Sequence, residues 1–182
     1  MGQYYRIYFE KNDGSCDVWR PNVAEKNFNG HKLMEFSWCG DLFADSIVMA
    51  VYRNPMRVAT IGDYALEGNR RLIGKAYERA WNSDISHGIH AFTTSLDDRY
   101  VVNHTKKIFV DFNEYKENSK TESGRVIHPI PLLTVAGNGR GSGDYCGSCM
   151  EEVGTWCMDV ISVEDFPPDE YEKISVQFIE RD

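Results

Sequence analysis

Hydrophobic residues are spaced in two ways along this chain, alternating with polar ones in some stretches and recurring at three- and four-residue intervals in others. Tyr4 to Phe9 is aromatic and β-branched, Asn12-Asp13-Gly14-Ser15 has the composition of a turn, and Cys16 to Trp19 returns as a second strand, which predicts an opening hairpin. An Asn- and Gly-rich loop, Asn22 to Gly30, precedes His31-Lys32-Leu33-Met34-Glu35-Phe36, whose alternation suits a strand or the first turn of a helix. Gly40-Asp41 supplies a breaker and an N-cap, after which Leu42, Phe43, Ile47, Val48, Ala50 and Val51 share one side of a helix that cannot pass Pro55. Met56 to Ile61 is a strand ending at Gly62-Asp63-Tyr64. Leu66, Leu72, Ile73, Ala76, Tyr77, Ala80 and Trp81 then predict one main amphipathic helix over 66–82.

In the second half, Tyr100 to Asn103 and Lys107 to Phe112 form another hairpin. Asn113 to Gly124 is polar and aperiodic, the mark of a mobile excursion. The two prolines of His128-Pro129-Ile130-Pro131-Leu132-Leu133 predict an extended edge segment. A glycine-rich loop follows, then Trp156 to Val163 as a strand stopped by Asp165-Phe166-Pro167-Pro168, and Ile174 to Ile179 as a last alternating strand.

The halves also resemble each other. Met56 to Tyr64 aligns without gaps on Met158 to Phe166 at an offset of 102, Tyr5-Arg6-Ile7 on Tyr100-Val101-Val102 at 95, and His31 leads its apolar run as His128 does, at 97. These matches predict an α+β single domain over 1–182, rich in antiparallel sheet. It is built from two diverged copies, approximately 4–65 and 99–166, about a pseudo-two-fold axis, with the main pocket between them.

Composition narrows the functions open to such a domain. With 182 residues, 42% of them hydrophobic, one substantial core is expected, and a net charge of -8 with pI about 5.1 speaks against a nucleic-acid polymer as partner while leaving room for a small anion. No run approaches the roughly 20 apolar residues of a membrane span, and Met1 to Arg6 has no signal-peptide core; a cytoplasmic protein with no membrane partner is expected, and homo-oligomerisation is left open. Cys146, Cys149 and Cys157 with His128 have the residue types of a zinc site but show only one paired knuckle, so free thiols, no metal and no cofactor are expected. His87 and His90 flank a glycine and lack an acidic partner, which favours a plain loop.

The candidate chemistry centres on Gly137-Asn138-Gly139-Arg140-Gly141-Ser142-Gly143-Asp144-Tyr145. Glycines at alternate positions permit positive φ and free backbone N–H donors, as an anion-binding loop requires. Gly139, Arg140, Gly141, Ser142 and Gly143 are therefore the expected ligand-binding residues, with Tyr145, Trp156 and Trp38 as stacking partners for a base. Should the pocket be catalytic, His128 is the candidate base, with Asp144 or Asp159 orienting it and Arg140 holding a phosphoryl oxygen. Three readings follow: binding of a small anionic, nucleotide-like ligand without catalysis, a phosphoesterase-type hydrolase using the same pocket, or a protein–protein interaction module. There is no Gly-x-Ser-x-Gly elbow, Walker loop or His-Glu-x-x-His.

The opening Met-Gly-x-Tyr-Tyr, Gly62-Asp63-Tyr64, the run from His128 through Gly137-Asn138-Gly139-Arg140-Gly141-x-Gly143-Asp144-Tyr145, and Trp156-x-x-Asp159-x-Ile161 resemble a family of small uncharacterised proteins of microbes and their phages. The likeness spans most of the chain and brings no established activity. Cysteines are no part of its pattern, and Asn54 stands where the repeat would place a counterpart of Trp156.

Overall fold

In the computed structural model, which describes residues 2–21, 31–82 and 94–181, the first half of the chain follows its apolar pattern closely. β1 (Tyr5–Glu10) and β2 (Cys16–Trp19) form the opening hairpin, turning at Gly14 with φ +80. The segment after His31 is a short helix, α1 (Leu33–Phe36). α2 (Leu42–Val51) starts at Asp41, whose carboxylate accepts from the N–H groups of Phe43 (2.9 Å) and Ala44 (3.4 Å), relieving donors that the first turn leaves unpaired. β3 (Met56–Gly62) and α3 (Leu66–Asn82) follow. Asn22 to Gly30 and His87 to His90 lie outside the described residues.

Next come β4 (Tyr100–Asn103), β5 (Ile108–Asp111), α4 (Phe112–Asn118), α5 (Pro129–Leu133), β6 (Val135–Ala136), β7 (Val160–Glu164) and β8 (Glu172–Lys173). The strands make one sheet in the order β2-β1-β3-β7-β4-β5-β8, with β6 beside the far end of β3. Among the described residues only the β3–β6 and β5–β8 strand pairs are parallel, so the class is α+β with a large, mostly antiparallel mixed sheet. α3 lays Ile73, Ala76 and Ala80 on one face of the sheet, against Tyr8, Ala59 and Ile61. The other face carries the main core, in which Phe36, Phe43, Ile47, Leu132, Leu133, Trp156 and Phe178 are buried. Covering each such side chain contributes roughly 1.5–3 kcal/mol.

Four expectations from the pattern need correction. Asn113 to Gly124 is not a free excursion. Asp111 caps α4 through Asn113 N (3.0 Å) and Glu114 N (3.3 Å), and the helix buries a stripe of only Phe112 and Tyr115, too narrow to show as periodicity. His128 to Leu133 is helical, because Pro129 and Pro131 fall in a first turn whose N–H groups have no helical partner. Trp156 to Met158 forms turns, Met158 having φ +65, and the strand begins only at Val160. Ile174 to Ile179 keeps its alternation, with Val176 and Phe178 buried, but only Glu172–Lys173 joins the sheet.

Candidate functional site

The glycine-rich loop leaves β6 at Ala136 and folds back on the chain's own first residues. Gln3, fully buried, donates through its amide nitrogen to the Tyr5 hydroxyl and to Gly137 O (2.7 Å), while the Tyr5 hydroxyl donates to Asp144 Oδ1 (2.6 Å). The second oxygen of Asp144 accepts from Arg140 N (2.7 Å) and Gly141 N (2.9 Å). Two of the N–H groups that the sequence offers to an anion, those of Arg140 and Gly141, are thus taken by the loop's own Asp144. Glycine is required at 141 because a Cβ there would lie 2.6 Å from Gln3 N, and at 137 by φ +100 against Ala65. Three segments far apart in the sequence therefore meet in one knot: Gln3 and Tyr5, Gly62 packed on the Gln3 side chain, and Gly137 to Asp144.

Other expected ligand contacts are placed in structural roles. Arg140 pairs with the Glu67 carboxylate (2.9 Å) and donates to Glu67 O (2.7 Å). Gly139 borders open space, Gly143 lies against the Lys32 stem, and exposed Ser142 bridges Gly2. Tyr145 is buried, its hydroxyl facing Ser148 O (2.8 Å) and Ile179 O (3.1 Å), and Trp156 is buried in the core. Trp38 donates from Nε1 to Met34 O (2.7 Å), and Arg125 lies 3.8 Å over its ring. Tyr145 and Trp156 have no free face on which a base would stack, and Arg125 covers one face of Trp38.

Of the candidate catalytic groups, Asp159 accepts from Asn103 Nδ2 (2.7 Å) and Lys106 Nζ (2.7 Å), fastening the β4–β5 turn to β7. Asp144 is held in the knot, so neither carboxylate orients His128. A third polar chain, His104 Nε2 to Ser162 Oγ (2.8 Å) and Ser162 Oγ to Glu164 Oε1 (2.6 Å), puts the hydroxyl between base and acid, the reverse of the order that activates a serine, and Ser162 is fully buried.

His128 differs from all of these. It stands at the start of α5, fully buried, and among the described residues neither ring nitrogen has a hydrogen-bond partner. Burial pushes its pKa down to about 3, so the ring is neutral, with one N–H donor and one lone pair. It lines a cleft of about 410 Å³ whose walls also include Cys39, Gly40 and Asp45 from the start of α2, Leu96 and Asp97 before β4, Phe112 and Lys116 of α4, and Arg125. None of Gly139 to Tyr145, nor Trp156, belongs to these walls.

Asp45 accepts from Gly40 N (3.2 Å); burial pushes its carboxyl up to about 6 in spite of that bond. The Cys39 thiol, also raised by burial, to about 12, is no nucleophile at neutral pH. At the mouth Lys116 and Asp97 form an ion pair (2.6 Å), which holds the Asp97 carboxyl below its usual range. A neutral imidazole, a carboxyl near its titration point, two apolar walls and two cations can recognise a small polar molecule. They provide no activated nucleophile beside a matched base.

Apart from His128, these residues carry no sequence signal. Asp45, Asp97, Lys116 and Arg125 look like ordinary surface charges, and only the packing of α2, α4 and the 124–128 segment brings them together. Among the described residues, no three His, Cys, Asp or Glu side chains are placed to hold a metal ion, the five cysteines are unbridged, and no helix is long and apolar enough to cross a membrane. Compared with protein-family models, with curated proteins and with solved structures, the chain matches none.

Proposed function

We propose that this protein binds a small, nucleotide-like ligand without transforming it, and that the ligand sits in the cleft beside His128 and not on the glycine-rich loop. The observation that carries this reading is a fully buried imidazole in the wall of a cleft, both of its nitrogens unpartnered among the described residues. An unpaired buried polar group costs about 1–3 kcal/mol, a cost that a ligand bonding to it would offset. The cleft volume also falls within the roughly 300–1,000 Å³ typical of small-molecule sites. Against a phosphoesterase stand the missing elements of such a site: His128 at about 3 is too weak a base near neutral pH, and Arg140 is engaged by Glu67 away from the cleft.

The test is to incubate the purified protein with a panel of nucleotides, wash it, and release bound material by heat. Recovery of intact ligand, together with ligand-induced shifts of the His128 ring signals in NMR spectra, is the expected result. Chemically altered ligand would favour the hydrolase. No uptake by a protein that still folds would favour a protein–protein interaction module.

We also propose that the chain is a diverged duplication. Support comes from a strand order symmetric about β3 and β7, and from pairings that occur twice: Tyr5–Gly62 and Tyr100–Glu164, Ile61–Ala136 and Val163–Tyr52. Around the Trp38–Ile127 bridge, Cys39 N donates to Val126 O (3.0 Å) and His128 N to Ser37 O (2.9 Å), again each the image of the other. On these pairings the counterpart of His128 is Cys39, not His31. The cleft, lined by both, then lies beside the axis. An experimental structure in which residues 5–62 and 100–164 fail to superimpose would overturn this.

A further inference from the structure

The chemistry of the cleft walls narrows the ligand, on the reading that this cleft is the ligand site. We infer that it takes a guanine nucleotide, with the base turned in so that its ring N–H and exocyclic amine donate to the Asp45 carboxylate, and its phosphate at the mouth beside Lys116 and Arg125.

Each part follows from a wall of the cleft. Asp45 is half-buried, and among the described residues only Gly40 N donates to it. A carboxylate has about four acceptor positions, so both oxygens retain room for a donor. Burial chiefly, with repulsion from Asp41 and Asp97, raises its pKa, and among the described residues no cation pairs with it. Two parallel N–H donors, as on the edge of guanine, satisfy such a group without placing a second charge beside it. Uracil and thymine offer one ring N–H between two carbonyls, which would face the carboxylate oxygens with like dipoles. Adenine offers an amine beside a bare ring nitrogen.

The neutral His128 ring suits the remainder of a purine better than it suits a phosphate. It brings no charge for an anion, but its N–H donor and its lone pair complement a carbonyl or a ring nitrogen. The cations lie elsewhere in the walls. Lys116 is on α4, and Arg125 is held against Trp38, with no carboxylate paired to it among the described residues.

Calorimetric titration of the full chain with guanosine 5′-monophosphate, inosine 5′-monophosphate and guanosine tests the inference without any variant. Inosine lacks only the exocyclic amine, so its monophosphate should bind at least about 10-fold more weakly, as expected for losing a hydrogen bond to a charged acceptor. Guanosine should bind more weakly than its monophosphate, and that gap should close in the Lys116→Ala/Arg125→Ala double variant. Asp45→Asn, which keeps the acceptor for Gly40 N, should abolish the preference for guanine over hypoxanthine.

Equal binding of the two monophosphates, with the His128 ring signals shifted by both, would overturn the base edge and leave the cleft reading standing. His128 signals that respond to other small molecules but to no nucleotide would overturn the ligand class. Signals that respond to nothing in a broad fragment library would remove both the inference and the reading beneath it.

Discussion

Replacing Asp144 by alanine separates the two roles that its loop can have. In the fold its carboxylate accepts from the Tyr5 hydroxyl (2.6 Å), Arg140 N (2.7 Å), Gly141 N (2.9 Å) and Gln3 Nε2 (3.2 Å). Arg140 is partly exposed and its N–H can turn to water, so that bond contributes little. Tyr5 is fully buried and would keep a hydroxyl proton with no acceptor, at about 1–3 kcal/mol, and the half-buried Gly141 would lose the acceptor of its N–H as well. Together these give a loss of about 3 kcal/mol, at the high end for a single substitution.

With a urea m-value of about 2 kcal/mol per M, the midpoint of unfolding should fall by about 1.5 M, read from the fluorescence of the four tryptophans. Tyr5→Phe should cost less, and the double variant should fall short of the sum by more than about 1 kcal/mol, since both remove the same bond. A loss below about 0.5 kcal/mol, accompanied by abolished ligand uptake, would refute the reasoning and return the loop to the anion-binding role suggested by its glycines.

Arg140→Ala should cost under about 1 kcal/mol, because its partner Glu67 is largely exposed, and should leave ligand uptake unchanged; loss of uptake would place the loop in the site. His128→Leu should keep or raise stability by up to about 1 kcal/mol while ending uptake, and a loss above about 2 kcal/mol would mean that the ring has a structural partner. Stability should decline on acidification from about pH 6.5 toward 3, because the unfolded ring takes up a proton that the buried ring refuses. His128→Leu should remove this slope of up to about 1.4 kcal/mol per pH unit. Asp45, protonated more readily folded than unfolded, works the other way between about pH 4 and 6, so Asp45→Asn should steepen the decline; a shallower one would contradict its assignment. Exposed Cys146 should react with a thiol reagent well before Cys39 and Cys157, whose thiols burial pushes up to about 12, and a chelator should leave the melting temperature unchanged.

Local forces determined what could be read directly from the chain. The Tyr5 and Tyr100 hairpins, the Asp41-capped helix, the strand at Met56 and the helix over 66–82 each have an apolar period and a breaker within a few residues, and all form. The α+β class follows from them. The glycines at 137, 139 and 143 do take positive φ, so the loop's backbone was legible as well. What occupies its N–H groups was not, because Asp144 as an internal acceptor and Gln3 as the post it closes on become neighbours only when β1 and β6 flank β3.

The same holds for α4 and α5. Tyr115 and the prolines at 129 and 131 yield helices because the sheet supplies a surface for short apolar stripes that would not hold a helix alone. The cleft is the extreme case. His128 drew notice through its place before the proline pair, yet its neutrality, its unpartnered nitrogens and its neighbours Asp45, Leu96, Lys116 and Arg125 are products of burial and long-range packing. Sequence pattern reports what a residue prefers beside its chain neighbours; a site depends on which residues the fold brings into contact and removes from water.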